Sequence, residues 1–433
     1  MIDYRPLNPE ELLDLALKGG AEEAEVFQSQ AVAQPVFFEA NRLKQLESAE
    51  VEGTVLRLWS GGCPGLAVAH GPVDPQTLVD RALALSRLNP PETPRLIYRP
   101  CEIYPDLGHA IPVEQLVTWG QEAIALVREQ YPDCICVGEW ECEAETTRLI
   151  NSQGLDCRYT DTTLSAYLAA EWVRGDDFLS VADGQVERSH LNPQALAQQV
   201  IQRLHWAKER ANPTSGRVPV LFTAKAADML WGTLQAALNG KQVLEKASPW
   251  SDRLGEMVTD RTLTLYQEPD LGPFSCPFDD EGNATRPITF IDQGQLQLFY
   301  TDLTTGDLLG SGSTGNGFRP NLSSYPSPGL FNLLIRPGQK PFADLVADLD
   351  RGLIVDQILG GGAGISGEFS VNVDLGFWVE KGTIVGRAKD TMVAGNVYTA
   401  LKHLISLGED AAWNGSCYTP SVVVDSLSTV SRD

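Results

Sequence analysis

The chain has 433 residues, of which 43% are hydrophobic and 21% charged, with a formal net charge of -24 at neutral pH. Those proportions exclude a low-complexity or disordered chain. So acidic a surface, with no Lys/Arg cluster to offset it, also excludes direct binding of a phosphate backbone.

Asn8-Pro9-Glu10-Glu11 supplies an N-cap, a proline at N1 and an acidic first turn, and Gly19-Gly20 closes that helix. Alternating stretches at Ala24–Gln28, Val36–Ala40 and Val51–Trp59 predict strands, and the Ser60-Gly61-Gly62 turn leads into a further strand at Gly65–His70. Asp74-Pro75 starts a second helix, which runs to Leu88. The proline-rich run from Asn89 to Pro105 reads as a linker.

From Pro112 onward, Val113, Leu116, Val117, Ala123, Ile124 and Val127 mark one face of a helix. Asn151-Ser152-Gln153-Gly154 is a turn between strand-like segments at Thr146–Ile150 and Leu155–Trp172, and Asn192-Pro193 caps the next helix. Beyond Pro213–Gly216 the sequence predicts a strand at Val218–Phe222 and a helix at Ala224–Leu238. Hairpins follow across Asp292-Gln293-Gly294 and Lys381-Gly382, with helices at Pro341–Leu349 and from Val393 to Leu407.

Helices and strands mix without regular βαβ alternation, so the expected class is α+β: a mixed α/β N-terminal part, then a larger C-terminal domain rich in antiparallel strands. The expected divisions are 1–100, 106–212 (packing with the first) and 216–433. The opening segment has acids inside its apolar stretch and no basic leader, and no uncharged apolar run approaches the roughly 18 residues that span a bilayer. With cysteines that show no small-scaffold spacing, a reduced, cytoplasmic setting is expected, with no membrane contact.

Sequence motifs for catalytic chemistry are mostly absent. His70, His109, His190, His205 and His403 are far apart, and none precedes a Glu. A zinc peptidase helix usually places two histidines at i and i+4, about 40° apart around the axis, with a Glu beside the first. Cys134, Cys136 and Cys142 form the only cysteine cluster, and a fourth ligand is missing nearby, so buried apolar cysteines are expected. The glycine-rich loops Gly310–Gly317 and Gly360–Gly367 lack the Lys-Ser/Thr ending of a phosphate loop, and the second runs into a strand. A G-x-S-x-G elbow is absent as well.

An ordered set of motifs then carries a resemblance. It comprises Phe278-Asp279-Asp280-Glu281-Gly282-Asn283-Ala284-Thr285, Ser313-Thr314-Gly315-Asn316-Gly317-x-Arg319 and Asn332-Leu333-Leu334-Ile335-x-Pro337-Gly338. Ser366-Gly367-Glu368-Phe369-Ser370 and Met392-Val393-Ala394-Gly395-Asn396 follow. As a set they resemble the TldD/PmbA family, and more specifically its PmbA (TldE) branch.

The resemblance implies a cytosolic metallopeptidase assembled as a TldD–TldE pair, associated with trimming peptide precursors, with toxin–antitoxin systems and with modulation of DNA gyrase. In the TldD branch a His-Glu-x-x-x-His helix holds the metal. The corresponding helix here, Ala224–Leu238, contains no histidine, and Asp228 is its only acid. No catalytic or metal residue is therefore carried over, and no cofactor is expected in this chain; a zinc-type metal is expected only in a TldD-like partner. Glu368 stands where the family more often has Asp.

The leading expectation is a non-catalytic subunit that docks on a TldD-like chain, or on itself, and helps enclose an unfolded peptide. The candidate peptide contacts are Asn316, Arg319, Gly367, Glu368, Phe369 and Ser370. The alternatives are a peptidase with a site scattered over His403, Glu368 and Cys417, and a stand-alone peptide-binding homodimer.

Overall fold

A computed structural model describes residues 7–98 and 102–431. Cys101 and part of the expected linker lie outside the described residues. Helix α1 (Pro9–Lys18) begins where the sequence predicts, because the Asn8 side chain accepts from the Glu11 N–H at 2.8 Å. Strands β1 (Glu23–Glu39), β2 (Arg42–Leu46), β3 (Ala49–Ser60) and β4 (Cys63–His70) follow, then α2 (Pro75–Ser86), β5 (Glu102–Ile103) and α3 (Val113–Gln130). Next come β6 (Ile135–Asn151), β7 (Asp156–Arg174), β8 (Asp177–Glu187) and α4 (Pro193–Trp206).

These strands form one sheet in the order β4-β3-β1-β6-β7-β5, with β2 also on β1 and β8 also on β7. The sequence reads β1 as two strands, Ala24–Gln28 and Val36–Ala40, whereas the structure holds it as one. β3 pairs with it from Glu23↔Trp59 to Ala33↔Ala49, and β6 from Glu25↔Asn151 to Phe38↔Gly138. Ladders on both flanks satisfy the backbone of Ser29–Ala33, so the missing apolar alternation does not break the strand. Leu12 and Ala16 of α1 and Leu78, Val79 and Ala82 of α2 pack on Val26, Leu56 and Leu58. Helices α3 and α4 cover the other end of the sheet around Trp140.

The C-terminal half opens with β9 (Arg210–Ala211), β10 (Gly216–Phe222), α5 (Ala224–Leu238) and α6 (Gly240–Leu244). Then come β11 (Leu265–Gln267), β12 (Ile288–Asp292), β13 (Gln295–Leu296), α7 (Leu303–Leu309), β14 (Gly317–Phe318), β15 (Ser327–Pro328) and β16 (Leu333–Ile335). Helix α8 (Phe342–Ala347), β17 (Arg351–Leu359), β18 (Glu368–Glu380), β19 (Thr383–Ala388), β20 (Thr391–Asn396) and α9 (Val397–Lys402) follow. The last strands are β21 (Leu404–Leu407), β22 (Ala412–Asn414), β23 (Cys417–Thr419) and β24 (Val422–Ser431).

One sheet runs β17-β10-β24-β20-β18-β19-β9, and β17 also pairs with β18, so five of these strands close a ring of pairings. A second sheet runs β13-β12-β11-β16-β23-β22. The apolar face of α5 (Leu230, Trp231, Leu234, Leu238) fills the space between the two sheets, and the Trp231 indole donates to the Thr419 hydroxyl at 2.7 Å. The α+β class expected from sequence is the class observed.

The predicted helix from Val393 to Leu407 is not formed. Met392 to Gly395 lie in β20, which pairs with both β18 and β24, and only Val397–Lys402 are helical. A Cβ at Gly395 would meet the Leu427 and Phe369 side chains at 2.7 and 3.2 Å, and Asn396 caps the short helix by accepting from Thr399 N. Pairing on both sides outweighs the helical pattern of the isolated segment.

Candidate functional site

The two groups of residues expected to contact a peptide occupy very different surroundings. Asn316 is fully buried, and its amide donates to Gln267 Oε1 and to the Gly329 carbonyl, both at 2.9 Å, while its oxygen accepts from Thr314. The Arg319 side chain is 3% exposed and pairs with Glu25 at 2.9 Å, over the Phe27 ring. Asn316 and Arg319 therefore hold the fold together, and their hydrogen-bonding groups face inward.

Gly367, Glu368, Phe369 and Ser370 enter β18. Gly367 has φ +80, and a Cβ there would lie 2.7 Å from the Tyr398 ring, so this position requires glycine. Phe369 is buried, and Glu368 and Ser370 are exposed; Asn396 donates to Glu368 Oε1 at 3.0 Å.

The loop just before them lies over α5. The Thr233 hydroxyl donates to the Ala363 carbonyl at 3.1 Å, and the Tyr398 hydroxyl donates to the Ile365 carbonyl at 2.7 Å. The exposed face of α5 carries Asp228 and Gly232, and a Cβ at Gly232 would meet nothing within 4 Å. Cys417 approaches this helix but is buried, and both that burial and the Asp228 charge push its thiol well above the usual range. Metal binding wants a thiolate and neutral imidazoles, so this set does not fit a zinc-type ion.

Among the described residues, no three His, Cys, Asp or Glu side chains are grouped to hold a metal. His403 sits exposed at the end of α9, its Nδ1 2.9 Å from the Thr399 carbonyl. With Glu368 exposed on β18 and Cys417 buried on β23, the scattered site considered from sequence is not assembled. Cys134, Cys136 and Cys142 are buried in the core beneath α3 and α4, where burial pushes Cys134 up to about 11 and Cys136 up to about 12.

The sequence reading missed a cleft of about 1170 Å³ between the N-terminal sheet, α4 and the first turn of α5. Its floor includes Arg203, Lys225 and Asp183, which form an ion network with Asp356 of β17, fully buried beneath them. Arg203 Nε and Lys225 Nζ each lie 2.8 Å from an Asp356 oxygen, and Arg203 Nη1 lies 3.1 Å from Asp183. Burial pushes the Asp356 carboxyl up, but the adjacent Arg203 and Lys225 charges outweigh it and hold the group below the usual carboxylate range. Lys225 also donates to the Ala182 carbonyl at 2.6 Å, and Asn414 donates to the Lys225 carbonyl at 2.7 Å.

Two sheet-edge strands reach the rim. β8 ends one sheet beside β7, and β22 ends another beside β23; Asp183–Val186 and Ala412–Asn414 line the cleft. Aromatic walls complete it, with Trp206 stacked on Phe342 at 5.7 Å.

This fold, with a histidine-free α5 packed between two sheets, defines a class. The family profile described as the PmbA/TldA metallopeptidase C-terminal domain matches residues 215–431. The chain belongs to the PmbA/TldD family.

A metalloprotease PmbA homolog from Haemophilus influenzae is 28% identical over 225 residues, which is 50% of this chain and 48% of that protein. Metalloprotease PmbA of Escherichia coli O157:H7 is 26% identical over 293 residues, 64% of this chain and 60% of its own length. The chain thus spans about half to three-fifths of these curated relatives. The crystal structure of TldE from Thermococcus kodakarensis superposes with a TM-score of 0.87 at 23% identity, covering 97% of this chain and 99% of that one.

Proposed function

We propose that this chain is a TldE-like, non-catalytic subunit of a cytoplasmic peptidase complex, docking on a TldD-like chain that supplies the metal and the cleavage chemistry. The observation that carries this reading is α5. The family fold surrounds it intact, yet its exposed face offers Asp228 and Gly232 where a metal-binding helix offers imidazoles. The likeness to TldE supports the subunit assignment. No helix among the described residues is long and apolar enough to cross a membrane, which is compatible with the proposed location.

On this reading the chain helps to enclose an unfolded peptide. The cleft beside α4 suits that role, because the β8 and β22 edges can take an extended chain as an added strand held by backbone hydrogen bonds. The test combines metal analysis of the purified chain, peptide cleavage alone and with a TldD-like subunit, and light scattering of the mixture. A mixed complex that cleaves, beside an inert lone chain without bound metal, is the expected result. Stoichiometric metal and chelator-sensitive cleavage by the lone chain would sink the assignment, and failure to form a mixed complex would favour a peptide-binding homodimer.

A further inference from the structure

The two strong cations in the cleft are both engaged internally: Arg203 with Asp183 and Asp356, and Lys225 with Asp356 and the Ala182 carbonyl. Glu139, Glu209 and Asp410 line the same cleft, and among the described residues none of them forms an ion pair. Asp410 accepts from the amide and hydroxyl of Ser421 at 3.0 and 2.7 Å, whereas Glu139 and Glu209 make no side-chain hydrogen bond among the described residues. His205 is exposed at the margin. The cavity therefore offers carboxylates and withholds its strong cations.

Glu139 also begins a row. Glu139, Glu141, Glu143 and Glu145 alternate along β6 and so point to one face of the sheet, while Trp140 and Cys142 point into the core on the other. The register sets Tyr167 opposite Glu139 and Ser165 opposite Glu141, and both β7 residues line the cleft. Burial, reinforced by the neighbouring glutamates, pushes the Glu141 and Glu143 carboxyls up, so a cation arriving on this face would relieve their mutual repulsion. Tyr167, Trp206, Phe342 and Trp413 supply aromatic faces in the same cavity, which favour an ammonium or guanidinium group.

We propose that this cleft selects extended peptide segments bearing Lys or Arg, with Glu139 and Glu209 pairing to the cationic side chains and the β8 and β22 edges holding the backbone. The inference rests on the peptide-handling role proposed above and names the class of peptide. A small polyamine would use the carboxylates alone, whereas a peptide also uses the strand edges, so a peptide is the occupant favoured.

The test uses the full-length chain and three fluorescein-labelled disordered peptides of equal length: Lys alternating with Gly/Ser, Glu alternating with Gly/Ser, and Gly/Ser alone. Fluorescence anisotropy is read at low and high salt. The Lys peptide is expected to bind roughly tenfold tighter than the Gly/Ser peptide at low salt, with the Glu peptide weakest. Glu139→Gln combined with Glu209→Gln should erase that preference, while the equal charge change Asp14→Asn with Asp292→Asn, away from the cleft, should keep it.

Equal affinity for the Lys and Gly/Ser peptides would overturn the proposal. So would an equal loss in both double variants, which would assign the preference to overall charge. The outcome is independent of complex formation, because light scattering with a TldD-like chain tests the subunit role whichever peptide the lone chain prefers.

Discussion

Arg319 and Glu25 are 294 positions apart in sequence and form an ion pair of 2.9 Å whose side chains are 3% and 1% exposed. Arg319 lies just beyond β14, and Glu25 lies in β1, so the pair fastens the C-terminal half to the N-terminal sheet. Arg57 on β3 reaches the other Glu25 oxygen at 3.0 Å.

Removing the shared anion strands two guanidinium groups. Glu25→Ala is therefore expected to cost about 3–5 kcal/mol, the usual range for breaking a buried pair. Arg319→Ala should cost less, because Arg57 still neutralises Glu25. Denaturant midpoints of both variants check the order, and a larger loss for Arg319→Ala would contradict it.

A pH dependence follows from the acidic run beside that latch. Burial pushes Asp280 up to about 6, against the Arg319 amide and charge, with Glu25 and Glu145 adding repulsion. Burial and the nearby Asp279 and Asp302 charges push Glu281 upward as well, although it accepts from Leu303 N at 2.8 Å and feels Arg57. Burial also raises Asp279, opposed by the amides of Gly317, Asn283 and Glu281.

An acid whose folded pKa exceeds its unfolded value binds more protons when folded. Its stabilising contribution is then present below the unfolded pKa and lost as pH rises through the folded one. Stability should fall between about pH 4 and 6 as Asp280 ionises, and further as Glu281 follows. Asp280→Asn should flatten the first part of this slope in thermal melts across pH; an unchanged slope would refute the assignment.

Asp177 has the opposite sign. Burial raises its carboxyl, but hydrogen bonds from Arg210 and Lys389 and the Arg387 charge bring it down to about 2. Its contribution is present above the unfolded value near 3.9 and is lost as pH falls through about 2. Asp177→Asn should leave stability less sensitive to pH over that acid window, as read by circular dichroism.

Thiol accessibility separates the cysteines. Burial raises the thiols of Cys134, Cys136, Cys142, Cys276 and Cys417, whereas Cys63 is partly exposed on β4. Brief iodoacetamide treatment of the native chain should label Cys63 and leave those five unmodified until denaturant is added. Peptide mass mapping reads the result, and native labelling of Cys417 would show that the segment beside α5 opens.

The floor of the cleft gives a final prediction. Asp356→Ala leaves Arg203 without its buried partner and Lys225 without its anion, so a loss of about 3–5 kcal/mol is expected. Denaturant unfolding measures it, and an accompanying loss of Lys-peptide binding would follow if the floor holds the walls in place.

The sequence determined by itself whatever rests on local chemistry. Asn8-Pro9 and Asn192-Pro193 cap helices because a short side-chain oxygen satisfies a free amide within three residues. The histidine-free α5 was equally legible, since a missing residue type needs no fold to be seen. The alternating glutamates of β6 drew no reading from sequence, because alternation does not say which face is covered.

Where distant segments meet is set by long-range packing. Asn316 and Arg319 belong to a motif that suggests a surface loop, and long-range packing against Gln267 and Glu25 turned them inward. The stretch from Val393 to Leu407 has a helical pattern, and pairing with β18 and β24 made its first part a strand. At the cleft, α4 and α5 meet β17 through the Arg203 and Lys225 pairs with Asp356, and β8 joins them through Asp183 and the Ala182 carbonyl. Such convergence depends on contacts between residues far apart in the chain, Arg203 and Asp356 at 153 positions among them, and no local pattern in the chain encodes it.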